Sequence, residues 1–298
     1  MRLMFEEVRK NKIKSGLLIS IFIVLIGVLG AIIGLIYGSL YFGILAAVTI
    51  SIIYTLISYY SGDKIILKSS GAKEVTKKEY PHLFHAIEGI AIAAAVPTPK
   101  AYVIEDSALN AFATGRGPKN ASITVTSGLL KKLNRQELEG VIAHEMSHIK
   151  NYDVRFMMLT AVLVGLITLL SDFMLRSFIF GHGNRDRERG KGAVFLIVIA
   201  LVLAILTPII GQIIKFAISR KREFLADANG AILTRYPPGL AGALRKISED
   251  PDPLVDKANK ATAHLFISTP FRKKHGFISG LFLTHPPIEE RIKRLEQM

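Results

Sequence analysis

His144-Glu145-Met146-Ser147-His148 sets two imidazoles four residues apart with a carboxylate beside the first. In an α-helix, positions i and i+4 lie on one face a turn apart, so both rings reach a single ion. Glu145, offset by about 100°, reaches a water on that ion. A helix is expected here, because Asn134 followed three residues later by Glu137 is a capping-box pattern. No Gly or Pro lies between Val141 and Arg155, which predicts a helix that runs on into the apolar stretch beyond. A catalytic zinc commonly takes three protein ligands and leaves a fourth position for water. Glu223 and Asp227, again four apart, offer the rest: Glu223 as third ligand and Asp227 as acceptor from the outward nitrogen of a ligating His. The reading is one Zn²⁺ per chain on His144, His148 and Glu223, although this donor set also accepts other divalent ions. The plainer alternative for both segments is a polar helix face.

The rest of the chain must hold these groups, and its composition says where. The sequence of 298 residues has no cysteine, which excludes disulfide scaffolds, thiol nucleophiles and cysteine-bound metal. It is 50% hydrophobic and 21% charged, with mean hydropathy +0.37, too apolar for a disordered or purely soluble protein. Residues 16–60 carry no charged side chain, too long for one membrane crossing and about right for two, over 16–37 and 40–60 with Gly38-Ser39 at the turn. Residues 156–180, with Asp172 and Arg176, and 193–217, with Pro208, form a second apolar pair, which either crosses or, given the basic loop from Arg185 to Lys191, enters the bilayer without fully crossing. The net charge of +14 fits nucleic acid or an anionic bilayer. Its basic residues flank the spans, and no nucleic-acid-binding motif appears. Arg2, Arg9, Lys10, Lys12 and Lys14 before the first hairpin, and Lys64, Lys68, Lys73, Lys77 and Lys78 after it, place both of its ends in the cytoplasm.

The expected fold is therefore a membrane α-helical protein with four transmembrane helices and an α+β zincin-like metalloprotease domain split around the second helical hairpin. Its parts are a cytoplasmic segment 1–15, a hairpin 16–60, a first catalytic portion 61–155, a second hairpin 156–217 and a second catalytic portion 218–298. Within 61–155, residues 80–96 read as a helix stopped by Pro97, and residues 101–104 and 122–126 as short strands. His148 precedes residue 156 by eight positions and Glu223 follows residue 217 by six, about 12 and 9 Å of helix, so the second hairpin brings both ligand sets to one height above the membrane.

Several ordered motifs resemble those of the HtpX-type membrane zinc metalloproteases, heat-shock-associated relatives of the CAAX prenyl proteases. They are Ser70-Gly71-Ala72-Lys73, Asn110 through Gly115, His144 through His148, Arg222-Glu223-Phe224 through Asp227, and Thr284-His285-Pro286-Pro287 with Glu290-Arg291. The resemblance implies a four-span endopeptidase of the cell membrane, active on the cytoplasmic side, that removes misfolded or damaged membrane proteins. It also implies that substrate adds as a strand near the zinc. Asn110, Ala111 and Phe112 are then candidates for substrate binding, against the alternative of a buried structural turn. Glu145 is the expected general base. His285, in a turn stiffened by Pro286-Pro287, is the candidate donor to the oxyanion, the alternative being a surface histidine. Competing readings are a prenyl-protein processing protease, a transporter built on Asp172 and Arg176, and a scaffold with a structural metal.

Overall fold

A computed structural model describes residues 2–36, 38–180, 220–250, 262, 265–267 and 286–298. The chain opens with two long helices, α1 (Arg2–Ile36) and α2 (Leu40–Ser69), joined at Gly38, whose φ of 86° suits glycine. Val8–Ile32 and Leu40–Ser69 are each long and apolar enough to cross a membrane. The two helices meet through glycines. A Cβ on Gly43 would lie 2.2 Å from the Gly30 carbonyl oxygen and 2.6 Å from the Gly34 Cα, so only bare backbone allows the approach. Both helices outrun the expected spans. Residues 2–15 are helical and lead into the first apolar stretch without a break, and α2 continues past residue 60 until Gly71, at φ 67°, ends it.

A small α+β module follows: β1 (Lys73–Glu74), α3 (Pro81–Ala94), β2 (Lys100–Ile104), β3 (Ala111–Gly117), β4 (Asn120–Thr126), α4 (Ser127–Lys132) and α5 (Arg135–Lys150). The sheet order is β1-β2-β4-β3; β2 and β4 run parallel, and the other pairs are antiparallel. β3 is thus an edge among the described residues. Asn134 caps α5 in a reciprocal box with Glu137. Beyond it lie α6 (Asp153–Phe180), α7 (Arg220–Thr234), α8 (Pro237–Ser248) and α9 (Ile288–Glu296).

Two apolar clusters share the interior. One joins α3, the sheet, α5, α7 and α8. The other joins α1, α2 and α6 to Phe112 and Phe266. α5 sits at their junction and is buried from Glu137 to Ile149 apart from Glu139. It does not run into α6 as its composition suggested. Tyr152 takes φ 61°, Asn151 closes α5, and a new helix starts at Asp153. The break lacks Gly or Pro, and its stabilising contacts come from elsewhere in the chain. The fourth expected span, 193–217, lies outside the described residues, as do the side chains of Asp172 and Arg176.

Gly43→Val should lower the melting temperature of the detergent-solubilised protein by several degrees, since overpacking costs about 1–3 kcal/mol. Differential scanning fluorimetry checks this, and an unchanged melting point would show that the helix crossing tolerates the side chain.

Candidate metal centre

α5 carries His144, Glu145 and His148 into the junction of the two cores, all almost entirely buried. α7 crosses it at close range. A Cβ on Gly230 would meet the His144 amide nitrogen at 3.1 Å, and Asn229 Nδ2 donates to Ser147 Oγ at 3.1 Å. That crossing delivers Glu223 and Asp227 from the preceding turns of α7.

The Nε2 atoms of His144 and His148 lie 3.2 Å apart. Glu223 stands across from both, with Oε2 3.7 Å from His144 Nε2 and Oε1 3.5 Å from His148 Nε2. One donor atom from each of the three residues lies within 4.8 Å of the others. Tetrahedral ligands at about 2.0–2.1 Å from an ion are separated by about 3.3–3.4 Å, so the spacing suits a small divalent cation. Both outward nitrogens face carboxylates: His144 Nδ1 is 2.9 Å from Asp227 Oδ1, and His148 Nδ1 is 3.0 Å from Asp153 Oδ2. With Nδ1 protonated toward those oxygens, the Nε2 lone pairs point at one another. Only a cation or a proton between them relieves the repulsion.

The carboxylates are held in turn. Arg291 of α9, fully buried, donates Nε to Asp227 Oδ2 at 2.8 Å and Nη2 to Oδ1 at 2.7 Å, a bidentate pair. Its Nη1 donates to the Ile267 carbonyl at 3.1 Å. Arg222 Nη1 lies 3.5 Å from Asp153 Oδ1. Four buried carboxylates (Glu145, Asp153, Glu223, Asp227) thus face two buried guanidiniums (Arg222, Arg291), a balance completed either by one divalent ion or by a charged His148 beside a protonated Glu145.

The ionisation states follow. Burial pushes Glu145 up to about 7; the positive His148 pulls it back, Glu223 raises it further, and the Ala113 amide donates to its carboxylate. For His148, burial works downward, but the Asp153 hydrogen bond and the charges of Glu223, Asp153 and Glu145 raise it to about 9. Burial dominates at His144 and lowers it. Burial also opposes the charge on Asp227, yet Arg291 holds that carboxyl at about 2.

Residues 77–298 match the model of Peptidase family M48. The chain belongs to this family. Over 294 residues it is 48% identical to a "Protease HtpX homolog" of Dictyoglomus thermophilum, covering 99% of this chain and 94% of that one. A "Protease HtpX homolog" of Thermoanaerobacter pseudethanolicus is 45% identical over 297 residues (99% and 98%), and one of Streptococcus thermophilus 39% over 303 residues (99% and 100%). In fold, the chain is similar to the crystal structure of S. mikatae Ste24p, with TM-score 0.51, 19% identity and coverage of 97% of this chain and 66% of that one. Membership makes the chain a metallopeptidase and removes the transporter and scaffold readings.

In this M48 chain the remaining candidates fall as follows. Asn110 is buried; its amide nitrogen donates to Thr126 Oγ1 at 3.1 Å, and its carbonyl accepts from the Thr126 amide at 3.0 Å. Phe112 is buried edge-to-face against Phe266, 5.0 Å between centroids. The outward groups of β3 are engaged as well: the Ala111 carbonyl accepts from the Ile267 amide at 2.9 Å, and the Ala113 amide donates to Glu145. His285 lies outside the described residues. Asp153 and Arg291 were not singled out for a role from the sequence. Arg291 had a signal in its place among the quoted motifs, whereas Asp153 had none beyond its nearness to His148.

Metal uptake by this site should be proton-coupled. His148 binds a cation only as a neutral base, and in the metal-free protein it holds its proton up to about pH 9. Apparent affinity should therefore rise about tenfold per pH unit below that value and level off above it. Chelator competition at several pH values reads this directly, and a flat profile would mean that His148 enters already neutral.

Proposed function

We propose that this membrane protein is a zinc-dependent endopeptidase that cleaves misfolded or damaged membrane proteins at the cytoplasmic face. The observation that carries the reading is the buried cluster of His144, His148 and Glu223 with Glu145 at its side. His144, His148 and Glu223 would hold Zn²⁺. When bound, zinc supplies a Lewis acid that polarises the scissile carbonyl and acidifies water. The rest is the work of the chain. Glu145, poised at about 7, takes a proton from the attacking water and returns it to the leaving amine as the C–N bond breaks. Asp227 and Asp153 fix the tautomers of the ligating imidazoles. His285 is the proposed donor to the developing oxyanion.

Substrate binding is assigned to the backbone of residues 110–113 rather than to side-chain pockets. An extended chain would pair with the outward groups of Ala111 and Ala113 by displacing their present partners, the Ile267 amide and the Glu145 carboxylate, with Asn110 and Phe112 keeping the strand in register from behind. The Ala113 amide ties this edge to the proposed base, so a bound strand passes directly over the reactive carboxylate.

The proposed topology is four spans, with residues 156–180 and 193–217 as the second pair and the catalytic portions on the cytoplasmic side. Its support is the basic residues that bracket the first hairpin. A prenyl-protein processing enzyme would need a chamber of seven spans, and this chain has apolar stretches for four.

The test is casein cleavage in detergent. Glu145→Gln should lose at least about 10²–10⁴-fold in turnover while retaining one zinc per chain, and chelation should abolish wild-type activity until zinc is restored. Cleavage by zinc-loaded Glu145→Gln at the wild-type rate would sink the mechanism. Unchanged turnover in His285→Ala would remove that residue alone.

A further inference from the structure

Asn11 belongs to neither the metal site nor the catalytic portions. It lies near the start of the membrane helix α1, yet it is only 1% exposed. Burying an amide without partners is costly, and its partners are specific. Nδ2 donates to Asp153 Oδ1 at 2.7 Å and to the Asn151 carbonyl at 3.0 Å. Both neighbours are acceptors, so the amide nitrogen must face them; the flipped rotamer would set oxygen against oxygen. The other oxygen of Asp153 contacts His148 Nδ1 at 3.0 Å. A continuous chain of contacts therefore runs from the anchor helix to a metal ligand: Asn11, Asp153, His148.

The same helix braces the break between α5 and α6 a second time, where Lys12 Nζ sits 4.9 Å over the ring of Tyr152. Asn11 thus spans the junction, gripping the residue that closes α5 and the residue that opens α6. Among the described residues Asp153 Oδ1 also has a charged neighbour, Arg222 Nη1 at 3.5 Å, farther away than Asn11. Both contacts fall on Oδ1 and leave Oδ2 for the imidazole, and the hydrogen bond from Asn11 is the shorter of the two.

We propose that Asn11 is a positioning residue of the metal centre, orienting Asp153 on His148, so that the first membrane helix forms part of the active site as well as its anchor. This rests on the zinc-site reading above and deepens it. Partners one step behind a ligand commonly change metal affinity by 10–100-fold, and Asn11 stands one step further back. An effect of about tenfold is expected.

The experiment uses the full chain in detergent, with zinc as the probe and a fluorescent chelator as competitor. Asn11→Ala should weaken zinc binding about tenfold, and Asn11→Ser, which keeps a donor, should recover part of the loss. In an Asp153→Ala background, Asn11→Ala should have no further effect, because the contact through which it acts is gone. Leu18→Ala, buried in the apolar cluster about two turns along the same helix, supplies the packing control; it should lower the melting temperature and leave zinc affinity unchanged. Equal zinc affinity in Asn11→Ala and wild type would overturn the proposal. So would an undiminished effect in the Asp153→Ala background, or a matching loss in Leu18→Ala. Absence of zinc binding by wild type would instead overturn the reading on which the proposal rests.

Discussion

Two imidazole nitrogens held 3.2 Å apart with almost no water around them are an unstable arrangement by themselves. Everything near the centre follows from keeping them there. Each ring is pinned from behind by a carboxylate, and each carboxylate is in turn pinned by a cation or an amide. These supports come from different parts of the chain: Asp227 from α7, Arg291 from α9, Asp153 from the start of α6 and Asn11 from α1. Buried charges on this scale are tolerated only when paired, and here a divalent ion takes over the place that a protonated His148 holds in the metal-free site. Metal binding and proton release are accordingly one equilibrium at this site.

That dependence explains which features were readable in advance. The metal pentapeptide, the Asn134 cap and the Glu223–Asp227 spacing are local patterns governed by helix periodicity, and a single chain displays them openly. The turn at Gly38 and the strands 101–104 and 122–126 were equally local. The break at Asn151-Tyr152 was not, because neither residue is a helix breaker. It exists because α1 and the Tyr152 contacts stabilise it from more than a hundred positions away. The same holds for Arg291. Its basic, amphipathic surroundings in α9 look like a solvated helix, and only the tertiary fold turns that one guanidinium inward to Asp227. Phe112 teaches the converse lesson: an aromatic residue beside a reactive site was a natural candidate for contact with substrate, yet it packs on Phe266 in the core.

The membrane helices and the soluble module are therefore not separable layers. The second apolar cluster runs without interruption from Leu18 and Phe22 of α1, through α6, to Phe112 under β3. Glycines at the α1–α2 crossing set the axis of the hairpin, and that axis sets where the polar start of α1 arrives.

The edge of the sheet carries a last consequence. An unpaired strand edge exposes a row of amides and carbonyls that any extended chain, including another copy of the protein, can join. Here the outward carbonyl of Ala111 is taken by Ile267, and the outward amide of Ala113 by Glu145. At these two positions the β3 edge is already satisfied. A chain arriving there must exchange for existing partners rather than simply add to a bare template.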